Sequence, residues 1–138
     1  MTPNFNKIIE LGYALYNPET HPVRCFHFSV ILYKNRLISA AVNSPKTHPI
    51  NLRNPKYGYD NKNITDIKGS CSEMSACLKL KRISNIDFEK CSLINIRINR
   101  LGHLANSRPC SSCESLLNYF SFKDVFYTND RGIFERFV

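Results

Sequence analysis

The chain has 138 residues, 43% of them hydrophobic, so we expect one domain spanning residues 1–138 with a packed core rather than a disordered chain. No apolar run approaches the roughly 18 residues of a membrane helix, and the N-terminus lacks the basic start and apolar stretch of a signal peptide. We therefore expect a cytoplasmic protein with no membrane partner, in which six cysteines indicate metal binding, catalysis or burial rather than disulfides. The formal net charge of +8 favours anionic partners such as nucleotides or nucleic acid.

The first third of the chain predicts a helix followed by a hairpin. Apolar residues at near-helical spacing indicate a helix over 3–16, which Asn17-Pro18 ends. Residues 25–33 alternate in the manner of a strand, and 36–42 form a second strand. Because only two residues separate these strands, a tight hairpin is the natural connection.

Residues 44–70 differ in composition from the rest of the chain. Prolines and glycines interrupt them, and they hold five basic and two acidic side chains. A segment of this length without regular structure is usually functional or disordered.

The second half alternates helices with strands. We predict helices over 72–81 and 109–120, strands over 92–99 and 124–128, and a short terminal element within 132–138. Such alternation predicts a three-layer α/β/α sandwich around a mixed sheet that includes the N-terminal hairpin.

Two short motifs at predicted helix starts carry the chemistry. Cys110 and Cys113 are three residues apart, so both thiols leave one face of the first helical turn, and Cys71 precedes the other helix. This spacing suits two ligands and a third on one tetrahedral zinc ion. Helix N-termini also favour thiolates, which are the species that bind zinc.

Glu73 lies two residues after Cys71, where its carboxylate can move protons without binding the metal. Three thiolate ligands leave the fourth zinc position open for water. They also leave the site formally negative, so something positive must compensate. The two helix N-termini and Arg108 are the candidates.

These residues resemble the zinc-dependent cytidine and deoxycytidylate deaminase superfamily, in particular its small phage-type members. Beyond the two motifs, the resemblance rests on Ala41-Val42-Asn43, on Lys46-Thr47-His48-Pro49, and on residues 104–110 and 123–128. It implies the cytidine deaminase fold and a zinc cofactor bound by Cys71, Cys110 and Cys113. It also implies a homo-oligomer, located in the host cytoplasm if the protein is virus-encoded.

The implied reaction is hydrolytic deamination of a cytosine ring at C4, with Glu73 as the proton shuttle and ammonia as a product. In the substrate site, Asn43 would bind the sugar, the backbone N–H of Ser72 would hold the ring carbonyl, and the carbonyl of Arg108 would accept from the amino group. His48 is a candidate substrate contact, and Phe26 is a candidate aromatic wall.

Three functions stay open at this point. The Lys46–Pro49 segment and the basic 44–70 segment favour a free nucleotide, deoxycytidylate above all, whereas Cys71 in place of the histidine usual in that branch is typical of enzymes acting on free nucleosides. The net charge also allows deamination of cytosine or adenine within single-stranded DNA or RNA. A non-catalytic zinc domain that binds a partner would need a fourth ligand, for which His48 is the candidate.

Overall fold

The computed structural model describes residues 3–16, 26–43, 72–83, 87–99, 101–109 and 111–137. Three helices, one 3₁₀ turn and six strands lie within them. In chain order these are α1 (Phe5–Leu15), β1 (Phe26–Tyr33), β2 (Arg36–Val42), α2 (Ser72–Ile83), the 3₁₀ turn (Phe88–Lys90), β3 (Cys91–Ile98), β4 (Leu104–Ala105), α3 (Ser111–Phe120), β5 (Asp124–Thr128) and β6 (Phe134–Arg136).

All six strands belong to one mixed sheet. The strand order is β2-β1-β3-β5-β6, and the short β4 pairs with β3 beside this path. The pairing of β3 with β5 is parallel, whereas β1 pairs with β2 and β3 in antiparallel fashion. Helix α3 lies between β3 and β5 in sequence, as the crossover between parallel strands requires.

Helices cover both faces of the sheet, which makes the three layers that the sequence predicts. On one face α1 packs over the even-numbered residues of β1 and β3, and Ile8 is the buried side chain of α1 in that core. On the other face α2 and α3 pack over Ile31, Leu93 and Val125. The alternation of side chains along each strand assigns the two sets to opposite faces.

The observed bounds agree with the predicted elements to within two residues at most ends. Strands β2 and β5 have the predicted bounds, β1 is described from Phe26 onward because Cys25 lies outside the described residues, and β3 begins one residue earlier than predicted. Strand β4 was not predicted, because two residues are too few to show an alternating pattern.

The hairpin between β1 and β2 is closed by two residues with left-handed backbone, Lys34 (φ 51°) and Asn35 (φ 62°). Positive φ at both central positions is the signature of a type I′ turn, whose twist matches that of the flanking strands. The predicted tight hairpin is therefore confirmed. None of the helices in the described ranges is long and apolar enough to cross a membrane.

Candidate active site

The sheet face beneath α2 and α3 changes from apolar to polar along its strands. Ile31 of β1 pairs with Leu93 of β3, and both are fully buried. Two residues further on, Ser29 pairs with Asn95, which in turn pairs with Tyr127 of β5. Because paired residues share a face, the side chains of Ser29, Asn95 and Tyr127 lie side by side across the centre of the sheet, and we call them the polar row.

The first turn of α2 lies against this polar row. The hydroxyl groups of Ser72 and Ser29 are 2.7 Å apart, and the Ser29 hydroxyl donates to Oδ1 of Asn95 at 2.6 Å. The Ser72 hydroxyl also donates to Oε1 of Glu73 at 3.0 Å. Glu73 is only 6% exposed, so its carboxylate is held at the start of the helix and out of bulk water.

Burial of polar groups at this depth is costly unless each finds a partner. Asn95 is 2% exposed, and its amide nitrogen Nδ2 has no hydrogen-bond partner among the described residues. A buried unsatisfied donor costs about 1–3 kcal/mol.

The three predicted zinc ligands lie in sequence at the starts of α2 and α3, but their side chains are outside the described part of the structure. Cys71 and Cys110 are outside the described residues, and of Cys113 only the backbone, within α3, is described. Their neighbours are informative: Ser72 is the first residue of α2 and Ser111 the first of α3, and these helices contact each other on one face of the sheet. Three thiols that lie in sequence at or next to the starts of two contacting helices are a donor set that fits zinc.

Two other cysteines are buried core residues. Cys77 and Cys91 are both fully buried and carry free thiols. Burial raises the pKa of the Cys77 thiol well above its usual value, and the charge of Glu73 one turn earlier raises it further. Both cysteines therefore belong to the core, while Cys25 lies outside the described residues. Among the described side chains there is no group of three histidine, cysteine or acidic residues that could hold a metal ion.

Asn43 follows the last residue of β2 and is hydrogen-bonded to β1. Its side-chain oxygen Oδ1 accepts from the backbone N–H of His27 at 3.1 Å, and its own N–H donates to the carbonyl of His27 at 3.0 Å. These two bonds fix the position of Asn43 relative to the first residues of β1. His48, five residues later, lies outside the described residues.

The segment that precedes Cys110 is fastened to two strands by Ser107. The Ser107 hydroxyl donates to the carbonyl of Asn95 at 2.9 Å and accepts from the N–H of Thr128 at 2.7 Å. The Ser107 N–H donates to the Thr128 carbonyl at 2.8 Å. Arg108 is thereby held next to the residue that is bonded to the middle of β3 and to the carboxyl end of β5.

The exposed side chain of Arg108 lies over the aromatic rings of Tyr127 and Phe137. Its guanidinium carbon is 5.8 Å from the ring centre of Tyr127 and 5.2 Å from that of Phe137. Its Nη1 donates to the Tyr127 hydroxyl at 3.4 Å, and this hydroxyl donates to Oε2 of Glu135 at 2.7 Å. The bond to Glu135 raises the pKa of Tyr127, and in return the bond from Tyr127 lowers the pKa of Glu135.

Phe26 takes a different place from the one considered for it. It is 3% exposed, and its ring meets Tyr16 edge-on at 5.6 Å and stacks near Phe28 at 6.4 Å between ring centres. All three belong to the core beneath α1, on the face of the sheet opposite α2 and α3. The described contacts make Phe26 a core residue on the face of the sheet opposite α2 and α3.

The sequence did not reveal the part that Ser29, Asn95 and the Ser72 hydroxyl take in this site. The sequence predicts a role only for the backbone N–H of Ser72 and none for Asn95. The available signal was the serine between Cys71 and Glu73, because a hydroxyl at a buried helix start needs a partner.

Comparison with known proteins supports the fold. A crystal structure of dCMP deaminase from the cyanophage S-TIM5, in apo form, is similar with a TM-score of 0.56 and 16% sequence identity. The similarity covers 94% of this chain and 86% of that one. No protein-family model matches the chain, and no curated protein sequence matches it significantly. The chain therefore has a fold of the cytidine deaminase type.

Proposed function

We propose that this protein is a zinc-dependent deaminase that converts the C4 amine of a cytosine ring to a carbonyl and releases ammonia, with free deoxycytidylate as the favoured substrate. The dCMP deaminase from cyanophage S-TIM5 shares the fold over nearly the whole chain. The two cysteine motifs occur in the order that such an enzyme requires.

The observation that carries the proposal is the position of Glu73. Its carboxylate is 6% exposed, lies at the first turn of a helix and accepts from a serine hydroxyl, and this environment supports a role in proton transfer. A buried general acid–base group of this kind can take a proton from water and deliver it to the leaving amine.

Cys71, Cys110 and Cys113 would hold the zinc ion. Bound zinc would act as a Lewis acid and lower the pKa of water, so that a nucleophile is available at neutral pH. The N-termini of α2 and α3 would offset part of the negative charge of three thiolates. Arg108 could add to this offset, although its guanidinium group also faces Tyr127 and Glu135.

The substrate contacts in this proposal are those that the resemblance to the deaminase superfamily implies. The backbone N–H of Ser72 would hold the ring carbonyl, and the carbonyl of Arg108 would accept from the ring amine. Asn43, whose amide oxygen accepts from the backbone N–H of His27, would contact the sugar. The basic residues of 44–70, together with His48, would bind the phosphate.

A panel assay for ammonia release tests the substrate. We expect zinc-loaded protein to deaminate deoxycytidylate faster than deoxycytidine, cytidine, the triphosphates or a single-stranded oligonucleotide. If only the oligonucleotide reacts, the enzyme acts on nucleic acid. If none of the substrates reacts, the proposed function is wrong.

The variant Glu73→Gln tests the proton shuttle. It keeps the volume of the side chain but removes the basic carboxylate, so we expect kcat to fall about 10²–10⁴-fold while bound zinc, measured by metal analysis, stays the same. Glu114→Gln is the matched control, because Glu114 is an exposed acidic residue in the first turn of α3. Equal loss in both variants would contradict the role of Glu73.

A further inference from the structure

Four buried polar side chains form a continuous chain of contacts that ends at Glu73. Asn95 contacts Ser29 at 2.6 Å, Ser29 contacts Ser72 at 2.7 Å, and Ser72 contacts Glu73 at 3.0 Å. The four residues are 2%, 0%, 1% and 6% exposed, respectively. The chain thus runs from the central strand β3, through β1, to the first turn of α2.

A count of hydrogen atoms constrains how this chain is bonded. Three contacts need three hydrogens, but the hydroxyl groups of Ser29 and Ser72 supply only one each. If Ser29 donates to Oδ1 of Asn95, the single hydrogen of Ser72 is required by both Ser29 and Glu73. At the same time, Nδ2 of Asn95 has a hydrogen to give and no partner among the described residues.

One rearrangement resolves both problems. A turn of the Asn95 carboxamide by 180° exchanges its oxygen and nitrogen within the same volume. The amide then donates to Ser29, Ser29 donates to Ser72, and Ser72 donates to the carboxylate. Every contact has its hydrogen, and the buried amide nitrogen has a partner. The amide oxygen Oδ1 then takes the position without a partner among the described residues, and an unpaired buried acceptor is more common than an unpaired donor.

We propose that Ser29 and Asn95 are positioning residues for Glu73, which act through the Ser72 hydroxyl in a hydrogen-bond chain directed from the Asn95 amide to the carboxylate. The positioning role rests on the proposed function, in which Glu73 transfers protons. Asn95 is a firm anchor, because its strand is central in the sheet and its carbonyl accepts from Ser107. A carboxylate held at one oxygen by such a chain keeps one orientation, which proton transfer requires.

Kinetics of serine variants test the positioning role. We expect Ser29→Ala and Ser72→Ala each to lower kcat about tenfold, with KM changed less than about twofold and zinc content unchanged. The double variant should fall little further than either single one, because both substitutions break the same chain.

Ser39→Ala is the matched control. Ser39 is a buried serine of β2 whose hydroxyl donates to the Ala76 carbonyl of α2 at 2.8 Å, so its loss removes a buried bond to the same helix without touching Glu73. We expect kcat of this variant to stay within about twofold of the parent. Equal effects of all three single variants, or multiplication of the losses in the double variant, would overturn the positioning role.

The direction of the chain is tested without turnover. In ¹⁵N-labelled zinc-loaded protein, the Asn95 side-chain amide pair is identified by its loss in Asn95→Asp. We expect one proton of this pair downfield of its companion and a return upfield in Ser29→Ala but not in Ser39→Ala. A pair that Ser29→Ala leaves unchanged would overturn the chain. Inactivity of the parent protein towards every substrate would instead refute only the proposed function and the positioning role that rests on it.

Discussion

At the scale of single residues, two side-chain hydroxyl groups, those of Ser72 and Tyr127, make contacts that the sequence does not predict. The Ser72 hydroxyl links the start of α2 to Ser29, although the sequence predicts a role only for the backbone N–H of Ser72. Tyr127 belongs to the polar row and also reaches the surface groups Arg108 and Glu135. One buried row thus connects the environment of Glu73 with charged groups at the surface.

The Tyr127–Glu135 bond predicts a measurable titration. Glu135 favours the protonated phenol, so the stability contribution of Tyr127 is present below its ordinary pKa of 10.0 and is lost as the pH rises through the raised value. We expect Glu135→Gln to lower the pKa of Tyr127 towards 10.0. Tyrosinate absorbance, taken as the difference from Tyr127→Phe in each background, measures this pKa. An unchanged midpoint would show that the carboxylate does not control it.

The cysteines predict two classes of variant. Cys71→Ser, Cys110→Ser and Cys113→Ser should each lower bound zinc, because serine is a poor replacement for a thiolate ligand. Cys91→Ala should keep full zinc and lose only stability, since its thiol is buried in the core and its sulfur donates to the carbonyl of Asp87 at 3.5 Å. Metal analysis of purified proteins distinguishes the classes. Full zinc in all three serine variants would exclude the proposed ligand set.

At the scale of elements, the helices owe their positions to how they begin and end. Helix α1 begins after Asn4, whose side chain accepts from the N–H of Lys7 at 3.3 Å. Helix α3 ends at Phe120, and the following residue, Ser121, has left-handed backbone (φ 56°) and donates its N–H to the carbonyl of Leu117 at 2.9 Å. Glycine is the usual residue at such a helix end, because any side chain there is strained.

The variant Ser121→Gly tests this helix end. Relief of the strained backbone should raise the free energy of unfolding by up to about 1 kcal/mol, reduced by loss of the hydroxyl bond to Asn118. Urea denaturation measures the change. Ser121→Ala serves as control, since it loses the same bond but keeps the strain and should be less stable than the parent. Equal stability of the two variants would contradict the explanation.

At the scale of the whole molecule, the net charge of +8 separates two kinds of substrate. A polynucleotide contacts many basic side chains at once, and the release of counterions makes its binding fall steeply with salt. A mononucleotide makes few such contacts. We expect KM for deoxycytidylate to change only a few-fold between about 50 and 200 mM salt, whereas affinity for a single-stranded oligonucleotide should fall far more. A steep dependence of KM would favour the polynucleotide as substrate.

The local pattern of apolar and polar residues predicted the helices and strands well, because this pattern depends only on residues close together in the sequence. The alternation of Ile94, Ile96 and Ile98 assigned one face of β3, and these residues are indeed buried beneath α1. The pairing of Ser29 with Asn95 could not be predicted, because it joins strands 66 residues apart, and no periodicity encodes which strands become neighbours. For the same reason the sequence did not show that Phe26 lies on the face of the sheet opposite α2 and α3.

The antiparallel pairing of β1 with β3 has a consequence for the order of folding. The β1–β2 hairpin joins neighbouring segments and can form within microseconds, whereas β3 must find β1 across a long stretch of chain and pay the closure entropy first. Topologies dominated by such distant pairings fold slowly. We therefore expect Glu73 to gain its partners only in the late, rate-limiting step, so that no early folding intermediate contains an assembled active site.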